Sequence, residues 1–306
     1  MGRIKPTIFE DPRIQGINGI IVYFDKTPPD IICPHFWELR WAFGCPFECA
    51  YCYLQGTGRG KKDPKYRPIN KVIKAIDKAF RDNYFHKHPS IFNSGELSDS
   101  LMNPTNMMQI ADFFETQEKH KLLLLTKSSN VEWLAKNPRK QTIVSFSINA
   151  SEISSRWEKK APLPQQRIDA AKRLIESGYE VRLRIDPIFP VENWQQYYEN
   201  LIYSILATLP SDPERITLGT PRGLAKTLIF AKDRSWEKIA FTDNPERSGW
   251  GKKAPSTVRK EIYTFFFDKL QSLGFDKSKI AMCKETKEMW REMGLDYSKC
   301  RCNCIW

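Results

Sequence analysis

Short apolar runs alternate along the chain with segments whose apolar positions recur every three to four residues, and the alternation continues from residue 37 to residue 219. The short runs predict strands at 37–43, 90–94, 121–126, 142–148, 180–186 and 215–219. Between them the longer period predicts helices at 69–83, 104–118, 130–136, 164–177 and 192–209. In the fifth strand Val181, Leu183 and Ile185 alternate with Arg182 and Arg184, so both arginines point to one face. Strands and helices in strict alternation argue for a parallel sheet joined by right-handed crossovers. The expected fold is therefore α/β, a partial (β/α)6 TIM-type barrel with its chemistry at the C-terminal ends of the strands.

The pattern breaks down at both ends. Residues 1–36 are rich in Pro and Gly and are expected as an N-terminal arm, 37–230 as the barrel, and 231–306 as a C-terminal extension with a basic loop and a Cys-rich tail. Within that extension, residues 232–260 combine Gly, Trp and basic side chains, a mixture that suits a lid, a loop stacking on a base while contacting phosphate, or a solvated connector. A second basic stretch runs from Arg59 to Arg67.

Composition narrows the function class. The 306 residues are 41% apolar and carry a net charge of +12, which favours a polyanionic partner such as nucleic acid, or else serves as a solubilising surface. The longest aliphatic run, residues 122–125, is far too short for a membrane span, and the first residues lack the apolar core of a signal peptide, so a cytoplasmic protein is expected. Eight cysteines in a chain of this length are too few for a disulfide scaffold.

Three of those cysteines crowd one loop just after the first strand. Cys45, Cys49 and Cys52 form a C-x-x-x-C-x-x-C triplet whose thiolates can each bind one iron of a [4Fe–4S] cluster, leaving the fourth iron open. A structural zinc knuckle is the competing reading, but zinc sites usually close with a fourth Cys or His nearby, and His35, His86, His88 and His120 offer no tidy fourth position. The triplet, with Tyr51 before its last Cys, resembles the signature of radical S-adenosylmethionine enzymes. That resemblance implies a cluster that binds S-adenosylmethionine and cleaves it to a 5′-deoxyadenosyl radical, fed by an electron donor such as flavodoxin or ferredoxin.

Other stretches are similar to the spore photoproduct lyase family, radical enzymes that reverse a thymine dimer in DNA. They include the run from Cys49 through Gln55, Thr126-Lys127, Phe146 to Ala150, the helix-like segment from Arg167 to Tyr179, and Asp186 to Pro190. The resemblance covers about 37–220 in consistent order. It implies that Lys127 and Ser147 hold the methionine carboxylate and ribose of the cofactor and that Tyr53 approaches the adenosine or relays a hydrogen atom. Ser94-Gly95-Glu96 resembles the Gly-Gly-Glu motif of other radical enzymes, in which the carboxylate accepts from the cofactor's amino group. Asp99 and Ser98 match the family's Ser-Asp pair. Arg184, nearer the strand end than Arg182, is expected to reach a carboxylate of cofactor or substrate. One departure matters: the family places a hydrogen-donor cysteine at the end of the second strand, and this chain has Asn93-Ser-Gly-Glu-Leu-Ser-Asp there.

The chain ends in Cys300, Cys302 and Cys304, with Cys283 upstream, a set that suits a second iron–sulfur cluster or a zinc site, or simply redox-active thiols at a frayed terminus. Three functional readings follow: a radical enzyme acting on a nucleobase but not by the thiol-dependent dimer repair of the family, a radical enzyme acting on a peptide or small metabolite with an auxiliary cluster, and a non-catalytic metal-bound nucleic-acid-binding module.

Overall fold

A computed structural model describes residues 16–59, 63–241 and 244–306, so the first part of the N-terminal arm and part of the Arg59–Arg67 basic stretch lie outside the described residues. The frame is an eight-stranded sheet: β1 (Ile21–Phe24), β2 (Phe36–Leu39), β3 (Ile91–Asn93), β4 (Lys121–Thr126), β5 (Thr142–Ser147), β6 (Glu180–Ile185), β7 (Ile216–Leu218) and β8 (Ile280–Met282). The strands lie side by side in sequence order. From β2 to β8 all neighbours run parallel, and only β1 pairs antiparallel with β2.

The α/β class and the parallel sheet agree with the sequence pattern, with two differences. No pairing joins β1 to β8 among the described residues, so the sheet is open rather than a closed barrel. It also carries strands beyond the six expected. β1 comes from the segment read as an arm and β8 from the C-terminal extension, each outside the strand–helix alternation from which the six were counted. The first expected strand is also split: Ala42–Phe43 leaves the main sheet to pair with Lys65–Tyr66.

The two faces differ as the period of two requires. Phe92, Leu122, Leu124, Val144, Phe146, Val181, Leu183, Ile185, Ile216 and Leu218 join the main core with the apolar sides of the crossover helices Pro104–Phe114, Pro164–Glu176 and Trp194–Thr208. Their neighbours on the other face begin apolar, with Ile91, Leu123 and Ile143 in a small separate cluster. Toward the strand ends that face turns polar, and the register sets Ser145 beside Arg182, Ser147 beside Arg184 and Arg184 beside Thr217.

The C-terminal tail covers this polar face. Asn303 is fully buried; its amide donates to Ser145 Oγ at 2.6 Å and to the Leu183 carbonyl at 2.9 Å, and its side-chain oxygen accepts from Thr217 at 2.6 Å. Arg182 donates to the Asn303 and Ile305 carbonyls, and Arg215 to those of Cys302, Ile305 and Trp306. Arginines inside a sheet are costly unless every donor is satisfied, and the tail backbone supplies the acceptors. The region 232–260, expected as irregular, holds a short helix (Ser235–Ala240), a hairpin pairing Glu246–Ser248 with Gly251–Lys253, and the start of a long helix, Ser256–Ser272. Residues 242–243 of that region lie outside the described residues. Among the described residues no helix is long and apolar enough to cross a membrane.

Candidate active site

The cysteine loop leaves the sheet at Gly44, whose φ of 92° is a conformation that favours glycine, and its amide donates to the Leu97 carbonyl at 2.9 Å. Further along, Ala50 N–H donates to the Trp157 carbonyl at 2.8 Å, and the Gln55 amide donates to the carbonyls of Cys49 and Ala50. These bonds hold the loop over the C-terminal ends of the strands. A cavity of about 280 Å³ opens there, lined by Cys45, Cys49 and Cys52 together with Tyr51, Tyr53, Gly95, Glu96, Asp99, Lys127, Ser147 and Arg184.

Most residues singled out in the sequence therefore meet in one place. Ser94 lies apart: its hydroxyl is buried, bonded to Ser100 Oγ at 2.8 Å and to the Leu123 carbonyl at 2.9 Å, and it fixes the loop rather than lining the cavity. Gly95 is needed for closeness, since a Cβ there would fall 2.5 Å from Leu125 Cβ. The next residue, Glu96, accepts from the Asn93 amide at 3.1 Å, while its carbonyl accepts from the Tyr53 hydroxyl. Asp99 is buried and ties the strand ends together, accepting from Thr126 Oγ and from the backbone N–H of Lys127, both at 2.7 Å, and burial raises its carboxyl above the ordinary value.

Several site residues had no signal in the sequence. Glu158 is fully buried behind the cysteine loop, 2.6 Å from Arg167 and 3.4 Å from Lys127, and it accepts from the Tyr51 hydroxyl. Burial alone would raise its carboxyl, but the positive charge of Lys127 and then of Arg167 brings it down to about 2. Lys127 is thus anchored by a carboxylate while it faces the cavity. Asp186 is held through both carboxylate oxygens, each 2.9 Å from Arg222 Nη2. Lys284 completes the rim. It sits over the rings of Trp250 (4.8 Å) and Phe24 (5.7 Å), which stack on each other at 6.1 Å, and all three line the cavity. Trp250 lies at the turn of the Glu246–Lys253 hairpin, so part of the 232–260 region borders the site.

The arrangement fits a cluster with a bound cofactor. Burial pushes the thiols of Cys45, Cys49 and Cys52 up, and the Lys127 ammonium opposes that rise at all three. Thiols so placed ionise when a metal centre supplies positive charge. No group of three or more His, Cys, Asp or Glu side chains among the described residues is gathered around one point as a single ion requires. A cluster asks for something else, because its three thiolates bind three separate irons and only need to surround a shared cavity. Arg184 is half-buried and lines the cavity; its Nη2 lies 3.3 Å from Cys304 Sγ, and its Nε is buried without a hydrogen-bond partner.

The C-terminal cysteines stand differently. Cys283, Cys302 and Cys304 line a void of about 10 Å³ with Cys33, beneath Glu96 and Arg184, while Cys300 is not part of its lining. That space holds about one water. The void as it stands has no room for a second cluster, and among the described residues no three of these groups gather around a single ion; the Cys302 thiol lies in hydrogen-bonding contact with those of Cys300 and Cys304. Cys304 lies instead 3.3 Å from Arg184 Nη2 and 3.7 Å from the Asn93 amide, as a packing and hydrogen-bonding thiol under the site floor.

Comparison with known proteins agrees with this geometry. The sequence model of the family described as Spore photoproduct lyase matches residues 30–253. Spore photoproduct lyase of Bacillus subtilis strain 168 is 30% identical over 260 residues, covering 78% of this chain and 70% of that protein. The enzyme of the same name from Clostridium acetobutylicum is 28% identical over 174 residues, which span 54% of this chain and half of the relative. A variant spore photoproduct lyase, solved with bound AdoMet and dinucleoside spore photoproduct, superposes with a TM-score of 0.66 over 81% of this chain and 75% of that one, at 19% identity. At that identity the superposition speaks for the fold.

Proposed function

Because the chain belongs to the spore photoproduct lyase family of radical S-adenosylmethionine enzymes, we propose that it abstracts a hydrogen atom from a nucleobase held at the mouth of this cavity. The observation that carries the reading is the convergence of Cys45, Cys49 and Cys52 with Glu96, Lys127, Ser147 and Arg184 on a single cavity at the strand ends. A [4Fe–4S] cluster held there by Cys45, Cys49 and Cys52 would supply the electron that cleaves S-adenosylmethionine to the 5′-deoxyadenosyl radical.

The chain's own residues hold and orient. Arg184, in the cavity wall, offers its guanidinium to the anionic end of the cofactor, and Glu96, fixed by Asn93, offers an acceptor to its amino group. Tyr53, locked to the Glu96 carbonyl, stands between the thiol loop and the floor, where a hydroxyl can pass a hydrogen atom. Phe24, Trp250 and Lys284 form an aromatic and cationic wall suited to the face of a base and its nearby phosphate. The relative solved with a dinucleoside ligand supports a nucleic-acid substrate. Glu96 occupies the segment where the family places its donor cysteine, so the substrate radical is quenched here by a route other than that thiol.

Anaerobic reconstitution, with iron and sulfide counted per chain, followed by measurement of 5′-deoxyadenosine under reduction, tests the reading. About four irons per chain and deoxyadenosine formation that rises when a single-stranded oligonucleotide is added are the expected results. Cluster assembly without any deoxyadenosine would leave a binding module in place of an enzyme.

A further inference from the structure

A second cavity, of about 250 Å³, opens on the other side of the cysteine loop. It shares only Cys45, Cys49, Cys52 and Leu54 with the first cavity and none of the strand-end residues. The charged groups in its wall are Arg156, Lys159, Lys160 and Lys232 against Glu48 and Asp233, an excess of two positive charges. Lys160 spans the rim to Glu48 at 2.9 Å, and all four cationic residues are exposed. The rim is built into the loop it surrounds. Trp157, one residue from Arg156, accepts the Ala50 N–H, and Lys232 N–H donates to the Gln55 side chain that also binds the Cys49 carbonyl.

The cysteine loop therefore has two accessible sides, one facing the cofactor space and one facing solvent through a ring of cations. We infer that the solvent-facing cavity is the docking surface for an acidic one-electron carrier protein. This rests on the proposed function, which requires an external electron. A carrier seated here touches the wall that Cys45, Cys49 and Cys52 form, so the electron crosses only the thickness of the loop, while cofactor and substrate on the far side stay undisturbed. The step is balanced without bond changes: the carrier loses one electron and the cluster held by the three thiolates gains it. Positive rim and acidic partner also steer encounter, which raises association rates by ten to a thousandfold at low salt. A nucleic acid would be drawn to the same charges, but bound here it would lie across the loop from Tyr53, Glu96 and Arg184, away from the groups that would act on it.

The test compares the full reconstituted chain with a variant carrying Arg156→Glu and Lys159→Glu, and with the milder Arg156→Gln/Lys159→Gln pair in case the reversal disturbs folding. Reduced flavodoxin is the probe, followed by its binding without S-adenosylmethionine, by stopped-flow oxidation of its hydroquinone, and by deoxyadenosine formation. With dithionite as reductant the variants should match the parent. With flavodoxin, binding and electron transfer should fall on the order of tenfold, and their salt dependence should flatten. Flavodoxin binding and oxidation equal to the parent's would overturn the inference. So would a selective loss of oligonucleotide affinity, which would make the rim a nucleic-acid contact. Failure of the parent to make deoxyadenosine with dithionite would count against the enzymatic reading alone, and the binding comparison would still decide the docking surface.

Discussion

The two groups of cysteines, one in the loop after β2 and one near the C-terminus, share a residue type and a similar density but sit in opposite surroundings. Cys45, Cys49 and Cys52 border a cavity of about 280 Å³ with charged and aromatic walls, whereas Cys283, Cys302 and Cys304 surround a void of about 10 Å³ inside packed core. The loop thiols are displayed by a backbone held off the sheet at Gly44. The tail thiols are pinned because Arg182 and Arg215 bind the tail backbone around them, and Asn303, between Cys302 and Cys304, bonds to Ser145, Leu183 and Thr217 of the sheet. Spacing alone made both sets metal-ligand candidates. Room and electrostatics separate them, since a ligand set needs space for the metal as well as donors.

The largest expected effect tests that separation directly. Cys49→Ala should lose most bound iron and bring deoxyadenosine formation to background, while Cys302→Ala keeps the iron stoichiometry of the parent. Iron halved in Cys302→Ala would break the comparison by showing that the tail rearranges around a second cluster. Next in size is the support behind the loop. Glu158→Ala strands Arg167 and Lys127 as uncompensated charges, and urea unfolding should show a loss of about 3–5 kcal/mol; a loss under 1 kcal/mol would mean the network contributes little to holding the loop.

The tail should be the softer region. Asn303→Ala removes bonds to Ser145, Thr217 and Leu183, so stability should fall by roughly 1–3 kcal/mol and Cys302 and Cys304 should react faster with a thiol reagent under native conditions. Unchanged labelling would show that Arg182 and Arg215 anchor the tail by themselves. The smallest effect is on pH dependence. Burial holds His120 down to about 4, with its Nδ1 accepting from Ser90 N–H at 3.2 Å, so the fold favours the neutral ring. Its contribution is complete above the unfolded value of about 6.5 and is lost as pH falls toward 4. Glu158, held at about 2, adds a second decline below about 4.5. A urea midpoint that stays flat from pH 6.5 to 4 in the parent would contradict the His120 part, and His120→Gln should remove the upper step.

The cysteine loop was legible because its chemistry is local: three thiols on one short segment need no tertiary information to be counted. Arg184 was legible for a similar reason, since the two-residue period assigns its face, and the register then placed it beside Ser147. Glu158, Arg222 and Lys284 were not. Each is a single charged residue in a chain with many, and only burial opposite a partner distinguishes it. The same holds for Ser94, which its motif placed near the cofactor and whose hydroxyl the packing turned toward Ser100 and Leu123.

By itself, then, the sequence determined the alternation of strand and helix, the parallel order from β2 to β7, and the cysteine triplet on one loop, because periodicity and short-range spacing encode these along the chain. Tertiary structure decided what depends on distant segments meeting. It left the sheet open, recruited β1 and β8 to its edges, and laid the tail across the polar face. It also opened two cavities against the cysteine loop, because the room beside a thiol is set by whatever the rest of the chain packs against it.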